Sequence, residues 1–192
     1  MVLKYFREDI NKMLIKSYGS FWNPDIIDWK KSHLHGEVKE EDSKTLKSVS
    51  HTIDFWHAKG IYVLHSDFKT IYVGKAFGTS IGKRVCDHLT DRLAGRWDMF
   101  SWFSVSSPRF TKKDVSQPGQ RQLKPDTIVD TLEALAILIA DPALNRKRET
   151  LKNAFEATQP SKGSPKAIRT YLEEILDKLK AEQGTVENAP HR

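Results

Sequence analysis

The chain has 192 residues, of which 39% are hydrophobic and 29% are charged. This composition predicts one folded domain, with or without a helical appendage, and excludes a mostly disordered chain. The net charge of +6 suits a polyanionic partner, although many basic proteins bind no nucleic acid. The single cysteine, Cys86, excludes a disulfide framework and is typical of a reducing compartment. Without a signal-peptide pattern or a membrane-length apolar run, we expect a cytoplasmic protein.

The N-terminal part of the chain predicts helices. Apolar residues recur at helical spacing over 3–18, and a second, short helix is expected over 26–31. His33 and His35 follow in a polar segment, where two histidines are more often solvated than bound to a metal. The charged stretch 37–47 predicts an exposed connector.

Two β-branched and aromatic runs predict a β-hairpin. They span 60–65 and 70–74, and the segment 66–69 between them predicts an Asp-led turn. If Tyr62 pairs with Tyr72 across this turn, both phenols project from the same face of the sheet, because side chains alternate along a strand.

A helix is expected to follow the hairpin, starting at Thr79 or Ser80 and ending at Gly95. Arg84 and His88 lie four residues apart on the edge of its apolar stripe. Together with Lys75 and the two tyrosines, these side chains are expected to meet at one edge of the sheet. Such a set suits the binding and polarisation of a phosphate.

The middle of the chain predicts a third strand over 97–105, with aromatic residues on both faces. The long basic segment 106–125 that follows is predicted to be a loop. A loop of this length is usually functional or disordered, so it either contacts DNA or is a mobile surface insertion. The basic residues proposed for DNA contact in it are Lys112, Lys113, Arg121 and Lys124.

The C-terminal part predicts three more helices. The first, over 127–140, carries Glu133 on an otherwise apolar surface, where a carboxylate needs a cation, a hydrogen-bond network or a metal. A charged helix over 146–158 and a last helix over 164–182 follow. The tail 184–192 is expected to be disordered.

The polar residues of this middle region occur in an order typical of a known family. Gly60-Ile61-Tyr62 is followed by Tyr72-Val73-Gly74, then by Arg84 and His88, and later by Glu133 and Asn145. In this order they resemble the GIY-YIG nuclease family, with Val73 where the family name has isoleucine. The resemblance covers a little under half of the chain.

The resemblance implies an α/β (α+β) fold with a small, mainly antiparallel three-stranded sheet flanked by helices, preceded here by an N-terminal helical extension. The expected domain organisation is a helical extension over 1–55, a catalytic domain over 56–158, a helix packed on it over 159–183, and the disordered tail.

The resemblance also implies roles for the site residues. The equivalent of Tyr62 is a base or positions the attacking water, and the equivalents of Tyr72 and His88 lie close to that water. The equivalent of Glu133 binds the metal, and that of Asn145 gives a supporting hydrogen bond. A free phenol titrates near 10 and an imidazole near neutrality, so the base is open between Tyr62, which we prefer, and His88.

Elementary chemistry suggests roles for the cations. Arg84 would grip the non-bridging phosphate oxygens with its fork of donors. Lys75 would act there as a point charge or acidify the base. Mg²⁺ (or Mn²⁺) on Glu133 would fit a site with a single carboxylate, because Mg²⁺ keeps most of its waters.

We therefore expect a metal-dependent endonuclease that hydrolyses DNA, of the restriction or defence type, acting on duplex DNA as a homodimer or by two sequential nicks. One alternative is a non-catalytic nucleic-acid-binding module on the same fold. Another is a structure-selective repair nuclease. The residues expected to contact nucleic acid are Lys75, Arg84 and the four basic residues of the 106–125 loop.

Overall fold

A computed structural model describes most of the first of two compact units in the chain, Met1–Pro160. The helix predicted over 164–182, the tail, and most of the helix predicted over 3–18 lie outside the described residues. The described residues are 14–41, 48–119, 125–140, 151 and 154–160.

The architecture is a seven-stranded mixed sheet, a separate two-stranded sheet and, among the described residues, two α-helices. The strand order of the large sheet is β3-β2-β9-β1-β6-β4-β5. Its pairs are antiparallel except β1–β9. Short 3-10 turns span Pro24–Ile26 and Trp29–Lys31. The elements are β1 Ser17–Trp22, β2 His35–Glu41, β3 Ser48–Asp54, β4 Gly60–Ser66, β5 Lys69–Ala76, α1 Ile81–Asp87, β6 Met99–Ser104, β7 Pro108–Arg109, β8 Asp114–Val115, α2 Pro125–Ala140 and β9 Phe155–Thr158.

The expected fold class, a small three-stranded sheet flanked by helices, is therefore wrong. The three predicted strands do form, as the adjacent strands β5, β4 and β6 at one edge of the sheet. Four further strands continue that sheet, so the described part of this unit is mostly β-structure.

The N-terminal helical extension is wrong where the structure describes it. Residues 17 and 18, predicted as the end of the first helix, belong to strand β1. The second predicted helix, over 26–31, is replaced by the last residue of one 3-10 turn and by a second 3-10 turn, Trp29–Lys31. The charged connector begins with strand β2, in which Gly36 and Val38 are buried while Glu37 and Lys39 are exposed. Antiparallel strands commonly have one solvated face, so charge alone did not distinguish this strand from a loop.

Two predictions further along the chain also differ from the structure. The charged helix expected over 146–158 is wrong at its end, where Phe155–Thr158 is strand β9. This strand lies between β1 and β2 and joins two parts of the chain that are remote in sequence. The basic loop 106–125 contains the small β7–β8 hairpin. The helix predicted over 127–140 is present as α2.

The β4–β5 hairpin has a tighter turn than predicted. Its strands extend to Ser66 and Lys69, so the turn has two residues, Asp67 and Phe68. Both have positive φ angles, of 50° and 61°. Two left-handed residues suit the right-handed twist of paired strands. A β-bulge or irregularity between Leu64 and His65 then shifts the register of the pairs beyond it by one residue.

The large sheet is covered on both faces at its β4–β6 region. On the face that we call the α1 face, Tyr62, Leu64, Phe100 and Trp102 pack with Ile81 and Val85 of α1. On the other, the α2 face, Val63 and Phe103 pack with Ala134 and Leu135 of α2. Neighbouring residues of β4 therefore enter two separate cores.

Among the described residues, no helix is long and apolar enough to cross a membrane.

Candidate active site

The first part of the candidate site is the pair of tyrosines on β4 and β5. Tyr62 pairs with Gly74, and Leu64 pairs with Tyr72. Directly paired residues share a face, so both tyrosines lie on the α1 face, diagonally across the hairpin. Their ring centroids are 6.1 Å apart. Both phenols lie on one face, although the pairing of Tyr62 with Tyr72 from which we expected this is wrong.

Gly74 makes room for the Tyr62 ring. A Cβ atom at this position would lie 2.3 Å from the Cζ and Oη atoms of Tyr62. No side chain fits at that distance without displacing the phenol. The glycine of the second motif is thus needed for the close approach of β5 to the tyrosine of the first.

Helix α1 positions His88 against this pair. The Ser80 side chain caps the helix by accepting from the N–H of Lys83, and buried Ile81 and Val85 hold the helix on the sheet. The helix ends at Asp87, with His88 as its C-cap. The His88 carbonyl accepts from the indole N–H of Trp97 at 3.2 Å. The backbone of His88 is therefore fixed on both sides.

The His88 ring joins Tyr62 to Asp91. Its Nε2 atom lies 2.7 Å from the Tyr62 hydroxyl, and its Nδ1 atom lies 2.7 Å from Oδ2 of Asp91. A carboxylate can only accept, so Nδ1–H donates to Asp91 in neutral His88. Nε2 then carries the lone pair and accepts from the Tyr62 O–H group.

Asp91 is a member of the site that the sequence reasoning missed. Its Oδ1 atom accepts from the N–H of Leu93 at 2.8 Å. That donor, followed by the contact with His88, lowers the pKa of Asp91, although burial acts in the opposite direction. Its spacing of three residues from His88, on the same side of a helical turn, was the available signal.

Burial dominates the electrostatics of Tyr62. The residue is 0% exposed, and burial raises the pKa of its phenol to about 12. The charge of Arg84 lowers this pKa and the neighbouring Tyr72 raises it further. The phenol is therefore protonated at neutral pH and cannot by itself take a proton from water.

Arg84 and Tyr72 form the accessible part of the site. Both are partly exposed, whereas Tyr62 and His88 are buried. The Tyr72 ring stands edge-on to the His88 ring, with centroids 5.3 Å apart. Proximity to Tyr62 raises the pKa of Arg84, so its guanidinium is positive at any working pH. The cluster thus presents one fixed cation at its surface.

Two predicted site residues do not join this cluster. Lys75 pairs with Ile61, which packs with the α2-face core, so Lys75 extends from the α2 face and is exposed. Glu133 is exposed on α2, whose buried residues, including Ala134, pack on that face. The sheet therefore separates Glu133 from the Tyr62 hydroxyl. The expectation that Lys75 meets the phenols followed from sequence proximity and overlooked strand alternation.

The described residues around Tyr62 do not form a magnesium site. Asp91 is the carboxylate in contact with His88, and the other described side-chain partners of His88 are Tyr62, Tyr72 and Trp97, which are not carboxylates. Mg²⁺ needs oxygen ligands in octahedral geometry. With Glu133 on the other side of the sheet, the residues present do not fit the metal predicted for this cluster.

The remaining predicted residues are distributed as follows. Lys112 and Lys113 lie in the turn of the β7–β8 hairpin and are exposed. The Lys113 carbonyl accepts from the N–H of Asp54 at 2.9 Å, which ties this turn to the end of β3. Arg121, Lys124 and Asn145 lie outside the described residues.

Comparison with known proteins found no match. No family model, curated protein sequence or solved structure matches this chain. The resemblance to GIY-YIG nucleases therefore rests on the motif residues themselves.

Proposed function

We propose that this protein is a DNA endonuclease in which Tyr62 and His88 act together as the base and Arg84 holds the phosphate. The observation that carries the proposal is the hydrogen-bonded series Asp91–His88–Tyr62 beside Arg84. A tyrosine on a strand or a histidine on a helix, taken alone, would not indicate catalysis. A carboxylate, an imidazole and a hydroxyl in series form the arrangement by which serine hydrolases activate an oxygen.

The protonation states of the site support a shared role of Tyr62 and His88 as the base. The Tyr62 phenol is neutral and donates to His88, so His88 is the group with a free capacity for a proton. When water attacks phosphorus, its proton passes to the Tyr62 oxygen while the phenolic proton passes to Nε2 of His88. The ionised Asp91 stabilises the resulting imidazolium.

Arg84 supplies the electrostatic part of the reaction. Negative charge develops on the non-bridging oxygens of a phosphodiester under attack, and a guanidinium can donate two parallel hydrogen bonds to them. Arg84 lies close enough to Tyr62 for each to shift the pKa of the other. A phosphate held by Arg84 would therefore be adjacent to the proton acceptor.

Access to the base requires a movement of Tyr72. Tyr62 is fully buried, and Tyr72 is its partly exposed neighbour. We propose that the substrate displaces the Tyr72 side chain and takes its place beside the Tyr62 hydroxyl. A water-excluded site would strengthen the interaction of Arg84 with the phosphate.

The Mg²⁺ or Mn²⁺ requirement, with Glu133 as its ligand, stays a prediction from the resemblance. The position of Glu133 on α2 does not support it, and no step above depends on it. Duplex DNA as substrate and a homodimer as the cutting form also stay predictions, supported by the net charge of +6 and by the one candidate catalytic site among the described residues of a chain. We propose a cytoplasmic location from the single cysteine.

A nucleic-acid-binding module without catalysis is the second candidate function. The complete burial of Tyr62 favours it, because a structural tyrosine–histidine pair would have the same appearance. The two candidates differ in whether loss of the hydroxyl affects DNA cleavage or only stability.

The test is cleavage of supercoiled plasmid by the wild-type chain and by the variants Tyr62→Phe, Asp91→Asn and Arg84→Lys, each with Mg²⁺, Mn²⁺ or EDTA. We expect each variant to lose about 10²- to 10⁴-fold in rate. Tyr18→Phe is the matched control, because Tyr18 is a buried tyrosine stacked on Phe103 in the other core. It should cut at the wild-type rate.

If the wild type binds DNA but does not cut it under any condition, the nuclease proposal is wrong and the binding module becomes the better candidate function.

The metal prediction is tested separately. Cutting in EDTA, or full activity of Glu133→Ala with Mg²⁺, would remove Glu133 from the reaction. Loss of Mg²⁺-dependent cutting in that variant would support its role. Preference for branched over linear duplex substrates would indicate a repair-type enzyme.

A further inference from the structure

We propose a binding site for a divalent transition metal, with Zn²⁺ as the best-suited ion, formed by His33, His35 and Asp54. Each residue offers one ligand atom, and these atoms lie within 4.8 Å of one another. The site belongs to the ends of β2 and β3 and shares no residue with the Tyr62 cluster. It is independent of the nuclease proposal.

The fold brings these residues together from two parts of the chain. His35 is the first residue of β2 and pairs with Asp54, the last residue of β3. The preceding 3-10 turn ends at Lys31, and its C-cap Ser32, directly before His33, has a left-handed φ of 53°. The rings of His33 and His35 then stack with centroids 4.9 Å apart.

The carboxylate of Asp54 is oriented before any ion binds. Its Oδ1 atom accepts from the N–H groups of Leu34 and Trp56, both at 2.9 Å. Its Oδ2 atom faces Nδ1 of His33 at 2.7 Å. Hydrogen bonds from neighbouring groups to a metal ligand are typical of metal sites, because they hold the ligand in the binding orientation.

Only small movements convert this cluster into a coordination sphere. With bonds of about 2.0–2.2 Å, the ligand atoms of a tetrahedral zinc ion are roughly 3–3.5 Å apart. The Oδ2–Nδ1 distance of 2.7 Å is already short, and an ion would replace the shared proton there. The His33 side chain is 49% exposed and His35 is also exposed, so rotation of the two imidazoles has little steric cost and the ion has an entry path.

The donor set selects the class of metal. Two imidazole nitrogens and one carboxylate oxygen suit Zn²⁺, Co²⁺ or Ni²⁺, whereas Mg²⁺ and Ca²⁺ prefer oxygen ligands throughout. Three protein ligands leave a fourth position for water. The ion predicted here is therefore different from the Mg²⁺ predicted for DNA cleavage.

An ion at this site would stiffen a connection to helix α1. Asp54 accepts from the N–H of Trp56, and the Trp56 carbonyl accepts from the N–H of Gly82 in the first turn of α1 at 3.1 Å. Fixing Asp54 would hold the β3 end and this segment together. Since the unfolded chain does not preform the site, occupancy should also stabilise the fold.

The experiment uses the full chain freed of any affinity tag. Calorimetric titration with ZnCl₂ should give one ion per chain, and CoCl₂ should produce the visible absorption of bound Co²⁺, which Zn²⁺ then displaces. We expect His35→Gln and Asp54→Asn each to weaken binding by at least about tenfold. Zn²⁺ should raise the melting temperature of the wild type and not that of His35→Gln.

His57→Gln is the matched control, because His57 is an exposed histidine three residues from Asp54 and outside the ligand group. It should bind like the wild type. His35→Gln keeps the proposal testable if Asp54→Asn fails to fold, since Asp54 also accepts from two backbone N–H groups. Unchanged zinc binding in His35→Gln, equal loss in His57→Gln, or no saturable binding by the wild type would each overturn the proposal.

Discussion

At the residue scale, the Tyr62 phenol differs from an ordinary strand tyrosine in its partners. It is buried, donates to His88 and lies beside a cation. Burial holds the proton on the phenol, while the proton-accepting capacity lies on the imidazole behind it. In the proposed reaction, both residues therefore take part in accepting the proton.

The raised pKa of Tyr62 predicts alkaline destabilisation. The folded state holds this proton up to a pH of about 12, whereas the unfolded phenol loses it near 10. Between these values the unfolded state binds fewer protons, so stability falls as pH rises, by at most about 1.4 kcal/mol per pH unit from this group. The free energy of unfolding of Tyr62→Phe should fall less steeply over the same range.

Urea unfolding at several pH values from 9 to 12 measures this difference. Tyr18→Phe again serves as the control, since it removes another buried tyrosine. Parallel pH dependences for wild type and Tyr62→Phe would mean that the phenol titrates as it does in water.

Because Gly74 packs closely on Tyr62, we expect a methyl group at position 74 to lower the free energy of unfolding. Gly74→Ala would place Cβ 2.3 Å from the phenol and should destabilise the fold by about 1–3 kcal/mol. Gly78→Ala is the control, because no atom lies within 4 Å of its Cβ position. Chemical denaturation compares the two. Equal stabilities would contradict the described approach of β5 to Tyr62.

At the element scale, α1 is a helix of seven residues that carries Arg84 and ends at Asp87, directly before His88. So short a helix has little intrinsic stability. Its position depends on its cap and on the N–H groups of Ile81 and Gly82, which donate to the carbonyls of Ala58 and Trp56.

Removing the cap should therefore affect both stability and the site. Ser80→Ala deletes the acceptor for the Lys83 N–H and should cost about 1 kcal/mol. Thr79→Ala, a neighbouring change at an exposed position outside the helix, should be close to neutral. Thermal unfolding gives the stability. If Ser80→Ala matches Thr79→Ala, the cap does not hold α1.

At the scale of the whole molecule, the net charge of +6 leads us to expect DNA binding that depends on salt concentration. Each lysine that neutralises a phosphate contributes about 0.9 to the slope of log K against log salt concentration. The variant Lys112→Gln/Lys113→Asn should therefore lower the slope by roughly two if the β7–β8 turn contacts DNA. Asparagine suits position 113 because its φ is 56°.

The matched control is Lys30→Gln/Lys31→Gln, which removes the same charge from another exposed turn. Fluorescence anisotropy with a labelled duplex at several salt concentrations measures both slopes. An unchanged slope in the Lys112/Lys113 variant would remove this turn from the interface.

Local patterns in the sequence determined the hairpin, the third strand, α2, and the meeting of Tyr62, Tyr72, Arg84 and His88 on one side of the sheet. Their contacts depend on strand alternation and on a helix that starts a few residues after β5. Such relations have a short range along the chain and appear in its periodicity.

Only the tertiary structure decided the rest. Strands β1 and β9 become recognisable through pairing between distant segments, as when Phe155 meets Ser17. The charged strand β2 becomes recognisable through its pairing with β3 and β9. Which face α2 covers decided that Glu133 lies away from Tyr62, and the pairing of β2 with β3 brought Asp54 to His33 and His35. Burial against a remote partner sets these positions, and a single segment does not encode it.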